Sequence, residues 1–341
     1  MPAAQFTFLS QEDVVSAGGL DMGPTIEVVE EALRLHAHGD AVLPPKVSIL
    51  WGDGLDSDER EGRIMAMPAY VGGDMNVAGL KWIPSVPDNP SRGLPRGIGL
   101  IVLTDRSTGL PLCILDGTVI SAMRTGAVTG VAVRLLANAE AVVVAILGAG
   151  VQARTQLMGL EAVLPLVEVR IWDVGPGRAQ AFCKAEAREG FRLVATADPA
   201  TACRDALVVV AATMAPTPYV LPQWLAPGAT FVSISSLDPT LEVISESDLL
   251  VCDVWEHESK HHSRPFARAV AAGTITRKQV AELGEILVGR HPGRIDRSQR
   301  VFVSPVGLGI EDVAAAYRVY RRATELGIGT QLDLWREAIW T

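Results

Sequence analysis

Cysteine is scarce. The chain has four in 341 residues, Cys113, Cys183, Cys203 and Cys252, far apart and without a CxxC pair. That spacing argues against a disulfide scaffold and against a zinc or dithiol motif, and leaves each thiol as a small buried hydrophobe. Positive charge is also short: 30 Lys and Arg against 39 Asp and Glu give a net charge of −9. A general nucleic-acid binder would carry a basic face, so none is expected as a partner. No uninterrupted apolar run approaches the roughly 18–20 residues of a membrane span. "AVVVAIL", residues 141–147, fits a buried strand, and no membrane partner is expected. The N-terminal stretch "MPAAQFTFLSQEDVV" lacks a basic region followed by an apolar one, so no signal peptide is read there and a cytoplasmic location is expected. An HExxH frame is missing too. "WEHESKHH", residues 255–262, offers His257, His261 and His262, but it reads as a solvated polar helix, and no metal is expected.

What is present suits a soluble protein of two domains: 48% apolar residues, 20% charged, and a length generous for one core. Residues 10–39 read as helical, with Ser10 as N-cap and Asp13 three residues on in a capping-box arrangement. Between 41 and 118 short apolar runs alternate with Gly, Pro and Asp, as in an antiparallel meander or small barrel. Helix resumes after Asp116 to about Asn138. Strand and helix then alternate from "AVVVAIL" to "LLVCDV" in the βαβ order of a parallel, doubly wound sheet. "IEDVAAAYRVYRRATELGIGT" is one strong helix that returns to the first domain. The expected division is 1–124 plus 316–341 for an α/β domain with a mainly antiparallel sheet, and 125–315 for a Rossmann-like domain; the resemblance described below implies that the first binds substrate and builds a dimer.

"AVVVAILGAGVQARTQL" carries the most chemical information. Gly148, Gly150 and Ala153 form G-x-G-x-x-A after a buried strand and at the opening of a helix. The first glycine permits the tight turn, the second admits a pyrophosphate, and the small third residue lets helix and strand pack. Free N–H groups and the positive dipole end then face the phosphates, with Val151 and Gln152 in the same first turn. The next strand ends in Asp173, about twenty residues further on, where the motif expects an acid for the ribose 2′-hydroxyl. That acid repels a 2′-phosphate and favours NAD(H) over NADP(H), although Arg178 softens the preference.

The stretch "ISAMRTGAVTG", residues 120–130, sets one arginine among small side chains. Burying an unpaired guanidinium costs on the order of several kcal/mol, so Arg124 must meet an anion. The long block "AGLKWIPSVPDNPSRGLPRGIGLIVLTDRSTGLPLCILDGTVISAMRTGAVTGVA", with "RIMAMPAY", "ILGAGVQARTQL" and "SPVGLGIEDVAAAY", resembles the ornithine cyclodeaminase/mu-crystallin family from about residue 25 to 335. The resemblance implies a Rossmann-like domain, a second α/β domain that builds a homodimer, a nicotinamide cofactor and a small α-amino, imino or keto acid substrate.

It also implies roles. Arg124 is the cation that holds the substrate carboxylate beside the nicotinamide, the alternative being a structural ion pair with an internal Asp or Glu. Lys81, in "AGLKWI", stands at the substrate and binds carboxylate or passes a proton. Lys46 stands where cyclodeaminases often have a second carboxylate-binding arginine, and a point charge there replaces a planar fork. Thr125 touches the cofactor phosphates, Val306 and Gly307 approach the nicotinamide, and Thr213 and Ser235 belong to the cofactor side. Asp312 caps a helix start or takes part in the chemistry.

One departure separates the family's reactions. Cyclodeaminases carry G-G-D or G-A-D after the strand "FVSIS"; an ungapped alignment puts Ser235 and Ser236 there, with Asp238 two residues later. Serine is a poor general base at neutral pH. The expected activity is therefore hydride transfer between nicotinamide and the α-carbon of an amino or imino acid. "KWIPS" and "NPSRGLPR" are loosely similar to members that oxidise an amino-acid adduct. A cyclodeaminase and a non-catalytic, crystallin-like binder are the alternatives.

Overall fold

The computed structural model describes residues 3–52, 60–138, 140–260 and 262–340. The first elements are β1 (Ala4–Leu9), α1 (Gln11–Ser16), α2 (Met22–His38), β2 (Ala41–Val42), β3 (Val47–Gly52), β4 (Arg60–Val71), β5 (Val77–Ser85), β6 (Leu100–Asp105), β7 (Pro111–Asp116) and α3 (Gly117–Leu136). Next come β8 (Val143–Leu147), α4 (Val151–Val163), β9 (Glu168–Trp172), α5 (Arg178–Ala185), β10 (Arg192–Ala195), α6 (Pro199–Cys203), β11 (Val208–Ala211), β12 (Thr230–Ser233), α7 (Leu241–Ser245), β13 (Leu249–Cys252), α8 (Trp255–Ser259), α9 (Pro265–Ala271), β14 (Val280–Glu282), α10 (Leu283–Leu287) and β15 (Val301–Ser304). The chain closes with α11 (Gly309–Leu326) and β16 (Thr330–Trp335).

The described chain forms two units, 1–124 with 308–341, and 125–307. The return to the first unit therefore falls at 308 rather than at 316. The reason is that α11 packs on β4, β5, β6 and α2, which keeps its N-terminal turn with that unit.

In the first unit one sheet runs β16-β1-β7-β6-β5-β4-β2, with β3 also paired to β4. All its pairs are antiparallel except β1 with β7. Residues 10–39 are helical as expected and form two helices. Ser10 Oγ accepts the Asp13 N–H and Asp13 Oδ2 accepts the Ser10 N–H, closing the capping box on α1. Gly18, at φ +81°, then turns the chain before α2. The strand β1 lay outside the sequence reading, because its pairing partners are residues 111–116 and 330–335 rather than neighbours.

The second unit is an all-parallel sheet in the order β10-β9-β8-β11-β12-β15-β13-β14. Strands β11, β12, β13 and β15 are buried along their whole length, which is why they read as mostly apolar runs without alternation.

Helix α3 is long and apolar enough to cross a membrane by length and composition alone, with mean hydropathy 1.3, but 67% of that window is buried inside the protein. Its small residues serve close packing. A Cβ on Gly159 of α4 would lie 2.4 Å from the Gly126 carbonyl oxygen of α3, and Gln156 Nε2 donates to the Thr125 carbonyl at 3.1 Å. Gly159→Ala is expected to destabilise the protein by about 1–3 kcal/mol through overpacking. Gly23→Ala, whose added Cβ meets nothing within 4 Å, should leave stability unchanged; urea unfolding of the two variants checks this.

Candidate active site

Strand β5 alternates, and its inward face carries Val77, Gly79 and Lys81. Lys81 pairs with Met67 on one side and Ile101 on the other, and a Cβ on Gly79 would touch Val313 of α11. The helix therefore lies over the strand, and its first turn delivers Glu311 and Asp312 to the lysine. Lys81 Nζ stands 2.6 Å from Asp312 Oδ2 and donates to Ser121 Oγ at 3.1 Å. From α3, Arg124 Nε donates to Asp312 Oδ1 at 2.9 Å and Nη1 to Glu311 Oε2 at 3.2 Å. Lys81 is 1% exposed, Arg124 9%, and both carboxylates are fully buried.

The structure shows the alternative named for Arg124, an ion pair with internal acids. Its anion is already supplied by the protein, because two buried cations in one small volume require carboxylates of equal number. The guanidinium is not used up, however. Of its five N–H bonds, those on Nη2 make, among the described residues, one long contact, 3.5 Å to Ser121 Oγ. Burial, reinforced by the Arg124 charge, pulls the Lys81 ammonium down to about 8, against the opposing pull of Asp312 and Glu311. Asp312 is thus the residue that sequence reasoning undervalued. Its signal was only the acidic pair in "GIEDV", and Lys81 and Arg124 lie far from it in the chain. Lys46 sits half-buried in the irregular stretch before β3.

The glycine loop fits a dinucleotide. Gly148 has φ +106°, and a Cβ there would lie 2.7 Å from the Ala212 carbonyl oxygen, so only glycine makes this turn. A Cβ on Gly150 would meet nothing within 4 Å; it would fill the open space in front of α4, where a pyrophosphate needs to pass. No side chain caps the α4 N-terminus, and Val151 there is 73% exposed. Ala153 is buried where the helix meets the strand. Asp173, beyond the end of β9, accepts the Ala149 and Gly175 N–H groups at 2.8 Å each, and Arg178 Nε lies 3.6 Å away. Each carboxylate oxygen keeps a lone pair for a hydroxyl. A cavity of about 310 Å³ opens beside it, lined by Trp172, Asp173, Gly175 and Thr196 among others.

The ends of β11, β12 and β15 carry the remaining assigned residues. Thr213 and Ser235 both donate their hydroxyls to Asp238, which is buried and whose carboxyl is pushed above the usual range by that burial. Val306 and Gly307 donate their N–H groups to Asp253 Oδ2 at 2.7 and 2.8 Å. The segment read as a solvated polar helix is not one. His257 and Glu258 of α8 are buried, because Glu258 pairs with Arg264 at 2.9 Å. Position 261 lies outside the described residues, and no metal-binding group of side chains occurs among those described.

Removing Asp312 tests the first cluster. Asp312→Asn leaves Lys81 and Arg124 buried with one carboxylate between them, and is expected to destabilise the protein by about 3–5 kcal/mol in denaturant unfolding at pH 7.

Comparison with known proteins agrees with this architecture. The family model described as ornithine cyclodeaminase/mu-crystallin matches residues 6–327. N-((2S)-2-amino-2-carboxyethyl)-L-glutamate dehydrogenase from Staphylococcus aureus is 32% identical over 97% of this chain and 99% of its own. An archaeal alanine dehydrogenase, solved as a dimer with bound NAD, has a TM-score of 0.86 and 32% identity over 97% of this chain and 100% of its own. The Thermococcus litoralis Δ1-pyrroline-2-carboxylate reductase, in complex with NADH and L-proline, has a TM-score of 0.88 and 30% identity over 95% and 99%. With matching folds, motifs and near-complete coverage, the chain belongs to the ornithine cyclodeaminase/mu-crystallin family.

Proposed function

We propose that this chain is an NAD(H)-dependent oxidoreductase that interconverts a small α-amino acid, or an N-substituted one, with its imino or keto counterpart. The observation that carries the reading is the Lys81–Arg124–Glu311–Asp312 cluster: four buried charges, two of each sign, with guanidinium donors to spare. Such a balanced centre suits a zwitterion better than a simple anion. The dinucleotide side rests on the glycine loop and Asp173, and on the NAD or NADH bound by relatives of at least 30% identity.

When bound, the nicotinamide supplies the two-electron acceptor or donor for the substrate α-carbon. The chain's residues do the rest. Arg124 holds the α-carboxylate through Nη2, with Lys46 as a second, point-like cation. Lys81 takes the proton of the amine on oxidation and returns it on reduction, and Asp312 keeps its Nζ in place. Gly148, Gly150, Val151, Gln152 and Thr125 hold the pyrophosphate. Asp173 accepts the ribose 2′-hydroxyl and favours NAD(H) over NADP(H). Thr213, Ser235, Val306 and Gly307 bound the rest of the cofactor.

A cyclodeaminase fits less well. At its aspartate position this chain has serine, and Asp238 is engaged by the Ser235 and Thr213 hydroxyls. Turnover over a panel of amino, N-substituted amino and keto acids, followed by reduced-nicotinamide absorbance with an ammonia assay in parallel, decides between them. The expected result is a change in absorbance matching substrate consumed. Ammonia without that change would establish the lyase, and tight NADH binding with no turnover the crystallin-like binder. Arg124→Ala should abolish turnover and leave NADH affinity within about a few-fold. With Lys81 near 8, kcat/KM for amine oxidation should rise with pH through about 8, since the base must be neutral; for imine reduction it should fall through the same region. Lys81→Met should remove this limb from both profiles.

The partner is a second copy. The outward face of the first unit's sheet carries an apolar ladder read straight from the register: Val47, Ala66, Trp82 and Leu100 lie side by side across β3–β6. Val47 is 61% exposed, Ile49 63%, Trp82 40% and Leu100 39%, a continuous patch of the kind that marks an interface. The related alanine dehydrogenase is a dimer. Sedimentation at micromolar protein should show a dimer, and the double variant Ile49→Glu, Trp82→Glu a monomer.

A further inference from the structure

Three buried charges of the second unit converge on a loop of four residues, Ser304–Gly307. Asp253, 1% exposed, receives the Val306 and Gly307 N–H groups on one oxygen, and its other oxygen takes the Val254 N–H at 2.8 Å. Gly307 has φ +73°, which lets the two successive N–H groups point at one acceptor. Arg264 Nη2 donates to Ser304 Oγ at 3.0 Å and to the Pro305 carbonyl at 2.8 Å. Glu258 closes the ring: Oε2 holds Arg264 Nε at 2.9 Å, and Oε1 accepts Ser304 Oγ at 3.2 Å and the Phe266 N–H at 3.1 Å. The same network reaches the end of β12, where Arg264 Nη1 contacts Ser236 Oγ at 3.4 Å and Arg268 Nη1 the Ser236 carbonyl at 3.3 Å.

Packing alone has no need of these charges. An apolar core of the same shape would avoid the desolvation of an ion pair and a carboxylate, and buried pairs of this kind specify geometry more than they add stability. What they specify is placed by the sheet order. Strands β10-β9-β8 precede β11-β12, a 3-2-1-4-5 order in which a dinucleotide crosses the switch point between β8 and β11, and β15, the last strand of the sheet in the chain, lies beside β12. Asp173 puts the adenosine half on the β9 side, so the ends of β12 and β15 face the nicotinamide half.

We infer that Asp253 and the Glu258–Arg264 ion pair form a brace that positions the Ser304–Gly307 loop against the nicotinamide half of the bound dinucleotide. The inference rests on the NAD(H) reading above. These are positioning residues; none of them touches the cofactor. The brace should matter for ligands that carry nicotinamide and be indifferent to those that stop at the second ribose.

Calorimetric titration of the full chain with NADH and with ADP-ribose makes the test, on the wild type, Asp253→Asn and Arg264→Lys. The lysine keeps the charge opposite Glu258 and loses the fork, so it guards against a variant that merely fails to fold. In both variants NADH affinity should fall about tenfold, while ADP-ribose affinity stays within about twofold of the wild type. Equal losses for the two ligands, or no loss of NADH affinity in either variant, would overturn the brace. A wild type that binds neither ligand would remove the dinucleotide reading itself, and the brace with it.

Discussion

The first unit is organised around a requirement of charge balance. Lys81 and Arg124 are buried by the strand and helix that carry them, and an unpaired charge of either would be costly there. Asp312 meets both, at 2.6 and 2.9 Å, and Glu311 takes Arg124 Nη1 at 3.2 Å. This constraint fixes where α11 begins, why its first turn returns to β5, and why the boundary of the unit falls at 308. It also sets the electrostatics of the centre. Burial and the neighbouring guanidinium pull the Lys81 ammonium down to about 8, while Asp312 and Glu311 oppose that pull.

The second unit applies the same principle differently. Its central strands are buried and mostly apolar, and several of their polar groups sit at the strand ends. There, buried acids are spent on backbone N–H groups and hydroxyls: Asp173 on the glycine loop, Asp238 on Thr213 and Ser235, Asp253 on Val306 and Gly307. Each acid fixes a loop whose own residues are small. Small residues leave room for a ligand, and the acids behind them supply the rigidity that bulk would otherwise give. In α3 the logic runs the other way: Gly126 opposes Gly159 so that two helices can approach closely, and α3 passes from Arg124 to Thr125 without a break.

The two faces of the first sheet show how one strand carries two functions. Along β5, Lys81 points to the α11 side and Trp82 to the other, because successive side chains alternate. One face becomes a charged centre under a helix and the other an apolar surface suited to a second copy. A slip of one residue in the β5 register would exchange them.

The sequence alone determined what depends on neighbours in the chain. The capping box at Ser10, the alternation of strand and helix after 140, the glycine turn at 148–150 and the acid at 173 are local patterns, set by backbone sterics and hydrogen bonding within about twenty residues. The family resemblance added Lys81 and Arg124 as the residues to watch. Only tertiary structure decided their partners. Glu311 and Asp312 stand far from both lysine and arginine in sequence, and "IEDV" reads as an ordinary helix start until the fold lays α11 over β5. Glu258 misled for the same reason: its neighbours in "WEHESKHH" are polar, and only the approach of Arg264 and Ser304 makes it a buried anion. Charge in a sequence is visible, but whether water or protein neutralises it is a property of distances that no local pattern encodes.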